Sequence, residues 1–301
     1  MKGMEMEPIY LIAGATGPTG SFAAQELRKG GARVRALVHR DDDRIRLLKD
    51  IGAEIVIADL LDYQAVRVAL KGIAAAYFVY PIRGGLVDAT AYFAQAALDQ
   101  GVKAIVNMSQ ISARPDSRSN AARDHWICER LFDRSGVPTT HLRPTFFAQW
   151  LLYHGRSRRI AETGMMRFPF GRGRHAPIAA EDQGRVIAAI LRQPGPHAGK
   201  TYPLFGPSEM DHYELAERIS EPLGRKVTYV PQEIAEFRAQ FATNPNAPAH
   251  LVQHLCEVAQ DYQDGLFQGT NDHVERITGR KPLSIEDFVR LHRSEFAVAA
   301  A

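Results

Sequence analysis

Residues 9–20 read Ile-Tyr-Leu-Ile-Ala-Gly-Ala-Thr-Gly-Pro-Thr-Gly, and no other stretch restricts the possible folds as much. An apolar run enters three glycines, Gly14, Gly17 and Gly20, and a helical pattern follows from Ser21. Strand, glycine turn and helix N-terminus in that order make a cradle for a dinucleotide pyrophosphate. Gly14 permits the tight turn, Gly17 lets the backbone approach the phosphates, and Gly20 lets helix and strand pack closely. The helix end offers unpaired N–H groups and the positive end of its dipole to an anion.

The same alternation continues through the first half. Strands are read at 9–13, 34–38, 54–58, 76–79, 104–108 and 139–143, with helices at 21–29, 44–51, 63–70, 89–100 and 123–134. Most of these helices stop at a glycine: Gly30, Gly52, Gly72, Gly101 and Gly136. Such a pattern predicts a Rossmann-like α/β fold, a doubly wound parallel sheet covered by helices on both faces. The dinucleotide-binding core is expected over 1–155, with 178–206 returning to it through a helix at 182–191 and a further strand at 201–204. Segments 156–177 and 207–301 are expected to form a smaller, mainly helical substrate-side region. Within it, 164–177 reads as a Gly-, Arg- and Phe-rich insertion and 244–248 as a two-proline loop.

Composition narrows the class. The chain has 301 residues, 45% hydrophobic and 24% charged, with a net charge of +3. A charge so small for this length gives no reason to invoke nucleic acid or an acidic membrane surface. No apolar run is long enough to span a bilayer. The first residues carry Glu5 and Glu7 and do not read as a signal peptide, so a cytoplasmic location is expected. Cys128 and Cys256 are the only cysteines and cannot build a disulfide framework. The histidines show no metal spacing, and there is neither a His-Glu-x-x-His run nor a Gly-x-Ser-x-Gly elbow.

The end of the second strand bears on NAD against NADP. An NAD site places a carboxylate there for the ribose 2′-hydroxyl, whereas an NADP site supplies arginine. Here the strand ends Leu37-Val38-His39-Arg40, and Arg44 lies one helical turn on. Two guanidinium groups can clamp a 2′-phosphate. Asp41, Asp42 and Asp43 oppose this if they point inward, and Arg40 can also be read as a solvated strand-end charge. NADP(H) is favoured, with NAD(H) the alternative. Asp59 and Leu60 follow the third strand, where this fold meets adenine. Asp59 either accepts from the adenine amine or caps the next helix, and Asp62 is better placed to cap.

The turn Gly14-Ala15-Thr16-Gly17-Pro18-Thr19-Gly20 with the Arg40 strand end resembles the atypical short-chain dehydrogenases of the NmrA-like group. So do Leu142-Arg143-Pro144-Thr145-Phe146-Phe147, the run from Gly199 to Ser208, and Ile277 to Pro282 followed by Phe288. The resemblance implies an NAD(P)H-dependent reductase of quinones, azo dyes or triphenylmethane dyes. It also admits a redox sensor that binds the dinucleotide without turnover and acts on a protein partner. It further implies that Val79 and Tyr80, Ser109, and the segment Pro144, Thr145, Phe146 border the cofactor.

The wider superfamily carries a Tyr and, four residues later, a Lys on one helix. Alignment on Glu129 puts Ala121 at the Tyr position and His125 at the Lys position. The phenol is gone, which disfavours alcohol–ketone chemistry, because a developing alkoxide needs a general acid. A quinone, an azo bond or a cationic dye instead takes hydride into a conjugated system, and solvent completes protonation. No flavin and no metal are required. His125 either bonds the cofactor and relays a proton or is a helix-surface residue without a role.

The strand ends bring Tyr80, Gln110, Phe146, Phe147 and Trp150 towards one expected cleft. Flat aromatic walls suit a planar aromatic substrate. Tyr80 and Gln110 join His125 as candidate catalytic groups. Phe146 and Phe147 taken singly are equally core residues, and Ser109 has a capping alternative. Phe168, Phe170, Arg172 and Arg174 read either as a lid favouring anionic aromatics or as a solvated charged loop. The largely helical C-terminal half offers a surface for a homo-oligomer.

Overall fold

The computed structural model describes residues 7–242 and 247–297. The strands are β1 (Ile9–Ala13), β2 (Arg33–Val38), β3 (Glu54–Ile57), β4 (Ala75–Phe78), β5 (Ala104–Met108), β6 (Thr139–Pro144), β7 (Met165–Phe168), β8 (Thr201–Leu204) and β9 (Thr228–Pro231). The helices are α1 (Pro18–Lys29), α2 (Arg46–Asp50), α3 (Tyr63–Ala69), α4 (Leu86–Asp99), α5 (Asn120–Arg134) and α6 (Arg156–Thr163). They continue with α7 (Ala180–Arg192), α8 (His212–Leu223), α9 (Ile234–Ala242), α10 (Ala249–Gln263), α11 (His273–Thr278) and α12 (Ile285–Leu291). A seven-stranded sheet runs in the order β3-β2-β1-β4-β5-β6-β8, and the pairings among β1 to β6 are parallel. This is the expected doubly wound fold. Its strand order reverses between β1 and β4, which places a ligand crevice beyond their carboxyl ends.

The chain divides into two compact units. The first is Met1–Ser109, Asp124–Arg143 and Gln183–Tyr202; the second is Gln110–Arg123, Pro144–Asp182 and Pro203–Ala301. Residues 110–123, 144–155, 178–182 and 203–206, expected with the dinucleotide-binding core, are grouped with the second unit.

In the first unit, β4 and β5 are buried along their whole length, so both sheet faces must be covered. On one face Leu11, Ala13, Phe78 and Ile105 meet Val66, Phe93 and Phe132. The Phe78 ring lies 4.9 Å from Phe93 and 5.3 Å from Phe132. Alternation turns Tyr77 to the other face, where its hydroxyl shares a 2.8 Å hydrogen bond with Thr19 of α1. On α7, a Cβ at Gly184 would lie 2.5 Å from Phe22 Cβ, so a side chain there would drive α7 off α1.

Polar pairs fix α5 to the sheet. Positions 129 and 133 share one helix face, and 141 and 143 share one strand face. Glu129 is fully buried and takes Arg143 in a two-point bond, Nε to Oε1 at 2.8 Å and Nη2 to Oε2 at 2.5 Å. His141 lies 3.0 Å from Asp133 through Nε2 and 3.0 Å from Asn107 through Nδ1.

The second unit departs from expectation. The 164–177 segment is not a plain insertion, because β7 pairs in parallel with β9 in a separate two-stranded sheet. Met165-Met166-Arg167-Phe168 contains no β-branched residue, so propensity hid the strand. Phe168 and Phe170 are 2% and 8% exposed, which excludes the solvated-loop reading for both. They pack with Leu215, Ile219, Tyr262 and Phe288 in the core of this unit. The expected helix at 44–51 is split into a 3₁₀ turn, Asp43–Ile45, and α2. Of the 244–248 loop, residues 244–246 lie outside the described residues. Among the described residues, no helix is long and apolar enough to cross a membrane.

Removing Arg143 leaves the buried Glu129 carboxylate with only the longer 3.6 Å contact to Arg130. Arg143→Leu is expected to cost about 3 kcal/mol in urea unfolding, and adding Glu129→Gln to recover part of that loss. A loss below about 0.5 kcal/mol would reduce the pair to an ordinary surface bridge.

Candidate functional site

In the first unit the glycine turn follows β1 directly. Gly14 has φ +59°, and a Cβ there would lie 2.6 Å from Val79 Cγ1, just past β4. The Gly17 N–H donates to the Gly14 carbonyl at 2.8 Å, and a Cβ on Gly20 would fall 2.5 Å from that same oxygen. Helix α1 then opens with Gly17 as N-cap and Pro18 in its first turn. That turn has no acidic residue, and no side chain caps it. Its first N–H groups have no intrahelical acceptor, and the dipole is uncompensated. Thr16 is partly exposed and Pro18 exposed beside the turn. Thr19 spends its hydroxyl on Tyr77, so only its backbone faces this task.

At the end of β2, Arg40 is exposed and forms no ion pair among the described residues. Arg44 does not complete a second arm. Its Nε and Nη2 bond Asp42 at 2.9 and 2.6 Å, which holds the Asp42 carboxyl below its usual range. Asp42 also caps the following turn through the Arg44 N–H, so of the three acids that oppose a phosphate it is committed elsewhere, while Asp41 and Asp43 are exposed. Asp59 is half-exposed; Oδ1 accepts from the Leu61 N–H at 3.0 Å, and Oδ2 lies 4.0 Å from His39. Leu60 is buried in the core, and Asp62 caps α3 through the Ala65 N–H.

Tyr80 is not an open acid. It is 3% exposed and packs in the first core, donates to the Gly84 carbonyl at 3.2 Å and carries Arg83 over its ring. Ser109 follows β5; its N–H donates to the Leu142 carbonyl, while its buried hydroxyl has no partner among the described residues. His125 is buried on α5, one turn beyond the buried Ala121 and one turn before Glu129.

In the second unit, Gln110 Nε2 and Thr145 Oγ1 are buried without a hydrogen-bond partner among the described residues. The Pro144 carbonyl accepts from Ile111, and Thr145 donates to Leu204. Phe146 is a core residue. It is 5% exposed, with ring centroids of His175, His212, Phe170 and Tyr262 at 5.0, 5.7, 5.9 and 6.0 Å. Phe147 is partly exposed and bridges Ile178. Trp150 is partly exposed and lines a cavity. Arg172 and Arg174 are neutralised, the first by Asp211 at 3.2 Å, the second by Glu209 at 2.9 Å and Glu214 at 3.0 Å. Both arginines are thus paired with carboxylates, and Arg172 is largely exposed, as in the solvated-loop reading.

Sequence reasoning passed over His175 and His212. Both are fully buried, their rings 4.7 Å apart, with no partner for any ring nitrogen among the described residues. Burial drives the His175 pKa well below normal and that of His212 to about 3. No spacing rule picks out two single histidines 37 positions apart. No group of metal-ligating side chains occurs among the described residues.

The sequence profile of the NmrA-like family matches residues 7–289. The NAD(P)H azoreductase of Xenophilus azovorans is 30% identical over 97% of this chain and 100% of its own length. Quinone oxidoreductase 2 of Escherichia coli is 27% identical over 86% of this chain and 88% of its own. Among solved structures, that of NmrA, a negative transcriptional regulator in complex with NADP, matches with a TM-score of 0.77 at 16% identity, covering 94% of both chains. At that identity the likeness speaks for the fold.

The two buried histidines give a signed pH dependence. Their folded pKa values are lowered, so below pH ~6.5 the unfolded chain takes up protons that the folded chain refuses. Their contribution is intact above that pH and is lost as pH falls. His212→Phe should remove about 1.4 kcal/mol per pH unit from the slope of stability between pH ~6 and ~4.5. An unchanged slope in urea unfolding would refute the assignment.

Proposed function

The chain belongs to the NmrA-like family, and on that premise we propose a reductase that favours NADPH and passes hydride, without flavin, to a conjugated aromatic acceptor such as a quinone or azo compound. The observation that carries the cofactor reading is a close-packed glycine turn together with an Arg40 that forms no ion pair among the described residues. A Cβ at Gly20 would strike the Gly14 carbonyl, one at Gly14 would strike the Val79 side chain, one at Gly17 would lie a tight 3.1 Å from the Gly14 carbonyl, and an uncapped helix end follows. This suits a pyrophosphate. Arg40 is free for a 2′-phosphate, while Asp42 is already bonded to Arg44. Ser109 offers an unused buried hydroxyl at a strand end.

When bound, the reduced nicotinamide would supply two electrons and a proton as hydride. The chain's own part is to hold and orient. With Ala121 on α5 there is no phenol to protonate an alkoxide. An acceptor that spreads the incoming charge over a conjugated system takes its second proton from solvent. His125, one turn on, is assigned to positioning the cofactor and relaying that proton. The likeness to the azoreductase over its full length supports a reductase. A second reading, a dinucleotide sensor that acts on a protein partner, is favoured by the same Ala121.

Anaerobic NADPH oxidation against a panel of quinones and azo dyes separates the two. Turnover without added flavin is expected; tight NADPH binding with no turnover on any acceptor leaves the sensor. Arg40→Ala should cut the NADPH over NADH preference about tenfold, mostly through KM. An unchanged preference removes the phosphate role. His125→Ala should lower turnover about tenfold while the fold persists, and unaltered kinetics and cofactor affinity would end its role.

A further inference from the structure

The second unit contains a cavity of about 570 Å³ that the dinucleotide reading does not use. Trp150, Phe168, Phe237 and Phe241 line it, together with Arg156, Arg159, Arg167 and Gln232. Its walls are flat and apolar, and its polar lining is dominated by donors. The one lining carboxylate, Glu162, is taken by Arg158 at 2.6 Å.

Arg156 is the unusual member. Its guanidinium carbon lies 4.9 Å from the Trp150 ring and 5.3 Å from the Phe168 ring. It donates to the Tyr153 carbonyl at 3.3 Å, and no carboxylate pairs with it among the described residues. Burial pushes its pKa down to about 10, so it stays charged at neutral pH. A charge partly withdrawn from water without a counter-charge is a cost to the fold. Two further donors share the predicament. Arg167 bonds Glu236 through Nη2, yet its buried Nε has no acceptor, and Gln232 is 7% exposed with Nε2 unpartnered. Surplus donors beside aromatic faces match a ligand with an anionic head and a flat apolar body.

We propose that this cavity binds a planar aromatic anion, a carboxylate or sulfonate, with its ring against Trp150 and its charge at Arg156. The assignment concerns binding by the second unit and holds whether or not the chain turns over NADPH.

Calorimetric titration of the full chain, without dinucleotide, with 2-naphthalenesulfonate and its neutral isostere 2-naphthalenesulfonamide tests it. The sulfonate should bind one per chain and about tenfold more tightly than the sulfonamide. Arg156→Met should shrink that preference to within about threefold. Because the substitution removes an uncompensated charge, its Tm should match or exceed that of the parent. Equal affinity for the two probes, no sulfonate binding at millimolar concentration, or a preference that survives in Arg156→Met would overturn the proposal. So would a Tm several degrees lower in the variant, which would make Arg156 a structural residue.

Discussion

The first unit is organised around a backbone contact that admits no side chain. The Gly14 carbonyl receives the Gly17 N–H and stands 2.5 Å from where a Gly20 Cβ would be. Gly14 itself sits against Val79 with φ +59°. One oxygen and one left-handed residue thus fix how β1 enters α1 and where the uncapped helix end points. The Thr19–Tyr77 bond and the close approach of Gly184 to Phe22 hold α1 on the sheet behind that turn. The strand order, reversing between β1 and β4, leaves the crevice open beside it.

Charge compensation decides which cations have work to do. Both units are rich in arginine, and several of the guanidinium groups are held by carboxylates. Arg44 is held by Asp42, Arg143 by Glu129, Arg172 by Asp211 and Arg174 by Glu209. Arg40 and Arg156 belong to the arginines that form no ion pair among the described residues. One is exposed at a strand end, the other is partly buried against aromatic rings. These two positions suit anions of different kind, a solvated phosphate and a flat organic acid.

The alternation of apolar runs and glycine stops made the doubly wound sheet legible, because burial on both faces imposes a pattern that sequence carries directly. The glycine turn and the capping role of Asp62 were legible for the same reason, being local. Charge pairing was not. Arg44 lies within a turn of Arg40 in sequence, yet an aspartate two residues away claims it. Phe168 and Phe170 looked like loop residues because β7 has no β-branched side chain, and its partner β9 lies some sixty residues on. Tyr80 and Phe146 sit at strand ends as expected, but their rings turn into the cores of their units. A strand-end position fixes where a residue stands, while side-chain direction depends on packing partners the sequence does not announce.

The chemistry assigned to this chain rests on hydride passing directly to carbon or to a conjugated acceptor without a phenol or a flavin. A sulfonated triphenylmethane dye accepts at its central carbon, where a transferred label cannot exchange with water. The direct measurement is mass spectrometry of that dye after anaerobic reduction with NADPH deuterated at both C4 positions, with purified protein and no added flavin. The account predicts one deuterium at the central carbon. Tight NADPH binding with no label in the dye, or reduction that appears only when flavin is added and leaves the central carbon unlabelled, would contradict it.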